Sequence, residues 1–230
     1  MEDRSLKVAL LFLGAIACGA PAREGPHADH GAPPRGRHGH HHRFDDAAGW
    51  SKVFDDPARD EWQKPERVVA AMKITPGMTV ADVGAGTGYF EPHLSRAVGP
   101  SGAVIAVDVE RDMVAWIDAR AKREGLANVR AVLAPASDPT LPAAKVDRVL
   151  VVDTWHHIDD RPAYARKLAA SLAPGGGVYI VDFTKESPHG PPPHARVSPE
   201  ETIRDLGEAG LGAEVVPVDL PFQYVVRASR

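Results

Sequence analysis

The chain contains a single cysteine among its 230 residues, at position 18. One cysteine cannot pair within the chain, so a disulfide-stabilised fold is excluded. Basic residues are not in excess either, because 27 lysines and arginines face 31 aspartates and glutamates and leave a formal net charge of −4. That balance gives no electrostatic reason to expect a nucleic-acid partner. The remaining composition, 43% hydrophobic and 25% charged, is typical of an ordinary globular domain.

Long hydrophobic runs are also lacking. Residues 8–17 form an apolar run with one glycine, which is too short for a transmembrane helix of about 20 residues. Its length suits the hydrophobic region of a secretory signal, typically about 7–15 residues. Residues 15–18, Ala-Ile-Ala-Cys, resemble a bacterial lipobox, the motif in which the cysteine carries the lipid. We therefore expect residues 1–18 to be a signal and Cys18 to be lipidated. The protein would then lie in the cell envelope and meet the membrane only through that anchor; an uncleaved segment on a cytoplasmic protein is the alternative.

Residues 19–49 are predicted to be a disordered tether, because glycine, proline, histidine and arginine dominate their first part. A histidine cluster in this segment could hold Zn²⁺, Ni²⁺ or Cu²⁺ loosely. Its members are His38, His40, His41 and His42. Nothing in the sequence fixes a ligand geometry for them, so no metal site is predicted. The folded domain is expected to cover residues 50–230.

From residue 50 onwards, apolar segments alternate with helix-forming ones. The predicted strands are residues 78–83, 103–107, 129–133, 146–152 and 178–183, and the predicted helices are residues 65–72, 89–98, 112–124 and 161–172. Apolar runs without alternation are typical of a parallel sheet covered on both faces, and right-handed crossovers make such a sheet doubly wound. A helix over 198–209, with Ser198 and Glu201 as a capping box, precedes strands at 213–218 and 222–228. The short connection between these last strands demands an antiparallel pair.

The segment with most chemical information is residues 80–90, Val-Ala-Asp-Val-Gly-Ala-Gly-Thr-Gly-Tyr-Phe. It predicts a strand, a glycine turn and a helix start, the arrangement that brings bare backbone against a nucleoside-bearing ligand. A dinucleotide-binding loop has the spacing G-x-G-x-x-G and places a pyrophosphate at the helix, whereas this loop reads G-x-G-x-G. Asp82 stands just before the first glycine, where it would repel a phosphate and attract a cationic ligand.

This pattern resembles the first motif of the class I S-adenosylmethionine-dependent methyltransferases. The resemblance covers roughly residues 60–230. It implies a seven-stranded α/β sheet that is doubly wound, mostly parallel and finished by an antiparallel hairpin. It also implies S-adenosylmethionine as the cofactor and methyl transfer as the activity, with the methionine portion of the cofactor wrapped by the loop. The implied loop contacts are Asp82, Gly84, Ala85, Gly86, Thr87 and Gly88. Two alternatives remain: a non-catalytic nucleoside- or cofactor-binding surface protein, and an NAD-dependent oxidoreductase, which the glycine spacing disfavours.

Further cofactor contacts are expected at the carboxyl ends of the strands, where ligands of such sheets bind. Asp108 ends the second strand, and the resemblance implies that it accepts hydrogen bonds from the ribose hydroxyls, with Val109 beside the adenine. Asp138 is a candidate acceptor for the adenine amine or else an ordinary turn aspartate. Asp153, at the end of the fourth strand, is also placed in the cofactor site.

The acceptor side of the site is expected to follow the fourth and fifth strands. His156 and His157 are the candidate catalytic residues, since a neutral imidazole could remove the acceptor's proton as a general base. The candidate substrate contacts are His189, His194, Arg196 and Trp62. Because the chain shows neither an added recognition domain nor a basic face, a small-molecule acceptor is expected.

Overall fold

The computed structural model of the protein describes Phe44 and residues 46–230. The lipobox-like segment with Cys18 lies outside the described residues, as do the four clustered histidines at positions 38 and 40–42. Within the described part of the chain, no helix has the length and apolar character needed to cross a membrane.

Seven α-helices and seven β-strands make up the described fold. The helices are α1 Ala47–Phe54, α2 Arg59–Gln63, α3 Pro65–Ala71, α4 Glu91–Val98, α5 Arg111–Glu124, α6 Arg161–Ser171 and α7 Pro199–Gly207. The strands are β1 Thr79–Val83, β2 Ala103–Asp108, β3 Val129–Leu133, β4 Val146–Val152, β5 Leu172–Phe183, β6 Gly212–Val215 and β7 Gln223–Ser229. Short 3₁₀ turns at Trp155–His157 and Pro193–Ala195 follow β4 and β5.

The strands of the described residues form one sheet in the order β3-β2-β1-β4-β5-β7-β6. Strands β1 to β5 pair in parallel, and β7 is antiparallel to both β5 and β6. The predicted doubly wound sheet with a terminal antiparallel hairpin is therefore confirmed. The chain winds outwards from β1 to β3, then returns to the other side of β1 to make β4. The switch point thus lies between β1 and β4, where ligands of such sheets bind beyond the strand ends.

Both faces of the sheet are buried, which explains why its strands lack alternation. On one face, side chains such as Val80, Val104 and Leu150 pack with Leu94 of α4 and Val68 of α3. The opposite face packs side chains of the intervening positions against α6 and α7; its members include Ala81, Ile105, Val149, Ile180, Leu168 and Leu206. A single strand therefore contributes to two cores, and its ends are fixed in position from both sides.

The structure differs from the sequence-based prediction at the start of the domain and at the start of β5. The domain begins earlier than residue 50, because Asp46 caps α1 by accepting a hydrogen bond from the backbone N–H of Gly49 at 2.9 Å. Strand β5 begins at Leu172, the last residue of the predicted helix, and not at the predicted residue 178; its pairing with β4 shifts register between Val146 and Arg148. The predicted capping box of α7 is confirmed, since Ser198 and Glu201 bond to each other's backbone N–H groups.

Candidate active site

The glycine loop between β1 and α4 has a backbone conformation that only glycine adopts easily. Gly84, Gly86 and Gly88 have φ angles of +78°, +57° and +78°, in the left-handed region that costs other residues free energy. The loop is anchored to β2, because the N–H groups of Gly84 and Ala85 donate to the carbonyl of Val107 at 2.8 and 3.0 Å. These hydrogen bonds fix its backbone at the sheet's switch point.

Asp108 ends β2 directly beside this loop. Its Oδ2 accepts a hydrogen bond from the N–H of Gly86 at 2.8 Å, and its Oδ1 accepts one from Glu110 at 2.9 Å. Burial raises the pKa of Asp108, while these backbone donors lower it. The neighbouring Val109 is 52% exposed, so its side chain leaves room beside the carboxylate. A fixed acceptor with an open apolar neighbour suits a ribose and its base.

Two further acids are buried around the loop. Asp82 lies in β1, and burial raises its pKa to about 7, although the guanidinium of Arg59 counteracts the shift. Glu91 is the first residue of α4, and burial followed by the charge of Asp82 raises its pKa well above the usual range. Buried acids beside the loop suit a cation, and the carboxylate of Asp108 can accept hydrogen bonds from ribose hydroxyls, so the residues present fit S-adenosylmethionine.

Helices α1 and α2 cover the loop. A Cβ at Gly86 would lie 3.5 Å from the ring of Phe54, so that ring rests over the loop. Asp55 accepts hydrogen bonds from Thr87 Oγ1 and from the guanidinium of Arg120, both at 2.8 Å. These contacts hold the end of α1 against the glycine loop and against α5.

Asp153 follows β4 with a φ of +51°, an unusual backbone conformation for a residue other than glycine. Its Oδ1 accepts a hydrogen bond from Gln223 at 2.6 Å, and its Oδ2 lies 3.6 Å from the guanidinium of Arg59. Gln223 in turn accepts a hydrogen bond from buried Gln63 at 2.7 Å. Burial raises the pKa of Asp153 to about 7 despite Arg59. The network ties α2 and β7 to the end of β4.

The two predicted catalytic histidines lie in different surroundings. The imidazole of His156 is 5% exposed, and its Nδ1 lies 2.9 Å from Oδ1 of Asp182, a fully buried residue of β5. The backbone N–H of His156 also donates to the same carboxylate at 3.2 Å. His157 is exposed, and its ring packs edge-on against Phe44 at 5.9 Å. The structure therefore places His156 in a buried acid–imidazole pair with Asp182.

Comparison with known proteins decides the family. Residues 80–176 match the family described as "Methyltransferase domain". The solved structure of a SAM-dependent methyltransferase from Aquifex aeolicus aligns with a TM-score of 0.74 and 33% identity, over 80% of this chain and 97% of that one. The chain belongs to the S-adenosylmethionine-dependent methyltransferases. This finding decides against the NAD-dependent oxidoreductase.

Two curated methyltransferases also match this one. The nocamycin O-methyltransferase of Saccharothrix syringae is 32% identical over 49% of this chain and 40% of its own length. The ubiquinone/menaquinone biosynthesis C-methyltransferase UbiE of Pasteurella multocida is 31% identical over 49% of this chain and 42% of its own length. The match thus covers less than half the length of either relative.

Some predicted substrate contacts of the methyltransferase come together at one edge. His189 stacks on Trp62 of α2, with ring centroids 4.9 Å apart and planes 12° apart, and it also contacts Phe222 at 5.0 Å. These rings border an open cavity of about 400 Å³. His194 lies exposed on the 3₁₀ turn after β5 and has no described contact with this group. Trp62 also packs against Phe183, which ends β5, with ring centroids 6.0 Å apart.

The guanidinium of Arg196, a predicted substrate contact, is engaged by the backbone of its own loop. Arg196 is buried, and its guanidinium donates to five backbone carbonyls at 2.7–3.0 Å. These carbonyls belong to Pro191, Thr184, Lys185, Ser187 and His189. A planar cation with its donors in use holds the loop after β5 in shape and has little capacity left for a ligand.

Asp138 has the contacts of a turn aspartate, the second of the two roles predicted for it. Its Oδ1 accepts a hydrogen bond from the N–H of Thr140 at 2.8 Å, and its Oδ2 pairs with Lys167 of α6 at 3.1 Å. The turn hydrogen bond and the lysine lower its pKa. No described contact directs this carboxylate towards the glycine loop.

Several site residues could not be found by reading the sequence. Arg59, Gln63 and Gln223 reach the site only through folding of distant segments. Asp182 did carry a signal, because it is an acid within the otherwise apolar strand β5, directly beside its end. A charged residue in a fully buried strand needs a partner, and that requirement alone marks Asp182 as a candidate.

Proposed function

We propose that this methyltransferase moves a methyl group from S-adenosylmethionine to a small-molecule acceptor that loses a proton in the reaction. The observation that supports this most directly is the buried pair of His156 and Asp182. The acceptor's proton must go to a base, and these two groups form an acid–imidazole pair at the carboxyl ends of β4 and β5, where the acceptor side of the site is expected.

The bound cofactor supplies the methyl group on a sulfonium, with a neutral thioether as leaving group. The chain's own residues do the rest. Asp108 and the glycine loop hold the cofactor, and α1 with α2 keeps water out. The Nδ1–H group of His156 donates a hydrogen bond to Asp182. Nε2 therefore carries the lone pair that takes the proton from the acceptor. Asp182 then stabilises the imidazolium that forms.

A small acceptor is favoured by two observations. The chain has a net charge of −4, which gives a polyanion no electrostatic attraction. The names of the two curated relatives refer to nocamycin and to ubiquinone or menaquinone biosynthesis, which are small molecules. A hydroxyl oxygen is the methyl acceptor that most needs a histidine base, because a neutral hydroxyl is a weak nucleophile until its proton is removed.

The test compares Asp182→Asn and His156→Ala with His157→Ala as the matched control. The readout is formation of S-adenosylhomocysteine with a panel of phenols, hydroxyquinones and amines. We expect kcat to fall by about 10²–10⁴ for the first two variants and by less than about tenfold for the control. Cofactor affinity, measured by calorimetry, should stay within about twofold of wild type. Full activity of Asp182→Asn across the pH range would contradict the proposed base.

Export and lipidation are proposed for the same protein from its sequence. The apolar run at residues 8–17 and the cysteine that follows it support an anchor at Cys18. A cell-envelope location would place the methyltransferase away from the cytoplasm, where S-adenosylmethionine is made. The location of the protein therefore determines whether S-adenosylmethionine made in the cytoplasm can reach it.

A further inference from the structure

Glu91 is a buried acid that the proposed mechanism does not use. It is 1% exposed, and neither carboxyl oxygen has a hydrogen-bond partner in any other residue that the structure describes. The carboxylate faces the glycine loop, because a Cβ at Gly88 would lie 3.1 Å from its Oε2. An unpaired carboxylate in such a place is costly, so it needs a proton or a cation.

The residues around Glu91 do not supply a cation that would neutralise its carboxylate. Asp82 of β1 and Asp108 of β2 are also buried and add negative charge. The nearby cations are Arg120 of α5 and Arg59 of α2, and both are shared with other groups. Arg120 pairs with Asp55 and Glu124 at 2.8 and 3.1 Å, and Arg59 donates to the carbonyl of Phe54 and to Gln63, both at 2.9 Å. The acids therefore outnumber the cations available to them.

We propose that Asp82, Glu91 and Asp108 act together as a charge sensor, which releases a proton when the positively charged cofactor binds and thereby favours S-adenosylmethionine over its demethylated product. The inference rests on the proposed function. The step is balanced: a carboxylic acid of the cluster becomes a carboxylate, and its proton passes to the buffer. Near pH 7 the cofactor carries one net positive charge, from its sulfonium, ammonium and carboxylate. The product carries none, because the sulfonium has become a thioether.

The consequence is a difference in affinity between substrate and product. Coupling equal to one pKa unit corresponds to a factor of ten in binding. We therefore expect Glu91 to contribute about tenfold to the preference for S-adenosylmethionine. Release of the product would be helped by the same acids, because they lose their cationic partner when the methyl group leaves. A proton is then taken up again.

Calorimetry on the full chain tests this with S-adenosylmethionine and S-adenosylhomocysteine as the probes. Each titration is run at pH 7 in phosphate and in Tris, whose different ionisation enthalpies give the number of protons released. Wild type should release more protons with S-adenosylmethionine than with the product. Glu91→Gln should lose that excess and weaken binding of S-adenosylmethionine about tenfold, with product affinity within about twofold. Glu208→Gln, an exposed acid after α7, is the matched control and should behave as wild type.

The outcomes separate the two proposals. Equal proton release with both ligands in the wild-type protein overturns the sensor, and this measurement needs no variant to fold. Unchanged affinities and proton counts in Glu91→Gln overturn it as well, and would show that Glu91 stays protonated as part of the core. Failure of the wild-type chain to bind S-adenosylmethionine at millimolar concentration overturns the proposed function together with the sensor.

Discussion

Replacement of Gly84 by alanine tests how the cofactor loop is joined to the loop after β4. A Cβ at Gly84 would lie 2.3 Å from Oγ1 and 2.4 Å from Cγ2 of Thr154, far inside contact distance. Thr154 cannot easily move, since its hydroxyl donates to the carbonyl of Val152 at 2.8 Å. Gly86 offers the comparison, because its Cβ would meet nothing closer than 3.5 Å, at Phe54.

The expected magnitudes follow from these distances. Both glycines have positive φ, so either alanine costs about 1–2 kcal/mol of backbone strain. Only Gly84→Ala adds overpacking, worth about 1–3 kcal/mol. We therefore expect Gly86→Ala to lower the free energy of unfolding by about 1–2 kcal/mol and Gly84→Ala by about 2–5 kcal/mol.

Urea unfolding of the two single variants measures this difference. Thr154→Gly, alone and combined with Gly84→Ala, completes a double-mutant cycle. Glycine is required at position 154, because the Cβ of an alanine there would still lie 2.8 Å from the new methyl group. The cycle should show favourable coupling of about 1–3 kcal/mol. The packing argument fails if Gly84→Ala is no more destabilising than Gly86→Ala, or if the coupling is zero.

Two further predictions concern charge and location. Burial raises the pKa of Asp82 from 3.8 to about 7. Between about pH 4 and about pH 7 the carboxyl is therefore protonated in the folded state and ionised in the unfolded state. The contribution of Asp82 to stability falls as the pH rises from about 4 to about 7. Asp82→Asn should therefore raise the free energy of unfolding by about 1–3 kcal/mol more at pH 8 than at pH 5, which urea titrations at both pH values would show; an equal effect at both would contradict the raised pKa. Cells grown with radioactive palmitate should label the wild-type protein and not Cys18→Ala, and equal labelling of both would refute the lipid anchor.

The sequence was sufficient for the parts of the site that depend on local chemistry. Strand β1, the three glycines and the start of α4 follow from adjacent residues, because turn geometry and apolar runs are local properties. Asp108 followed from its position at the end of a strand. The doubly wound sheet followed from the family resemblance, and its antiparallel hairpin followed from the short last connection.

The rest depends on contacts between distant segments. Nothing near Arg196 in the sequence shows that its guanidinium is enclosed by carbonyls of its own loop, so it resembled an available cation. Helix α1 was missed because its eight residues are too few to show a clear helical period, and its first three lay in the segment assigned to the tether. It is held by the cap at Asp46 and by the packing of Phe54 over Gly86. The choice between His156 and His157 likewise required the position of Asp182.

The amide pair of Gln63 and Gln223 has a consequence for the order in which this protein assembles. These side chains are separated by 160 positions in the sequence, and one of them begins the last strand. Contacts so distant form late, after the cost of closing the intervening chain has been met. A chain still emerging from the ribosome can complete its glycine loop, Asp108 and His156 long before β7 exists. The contact that fixes α2 against β7 can form only after Gln223 has been synthesised, so the α2 wall of the active site is completed after the cofactor loop.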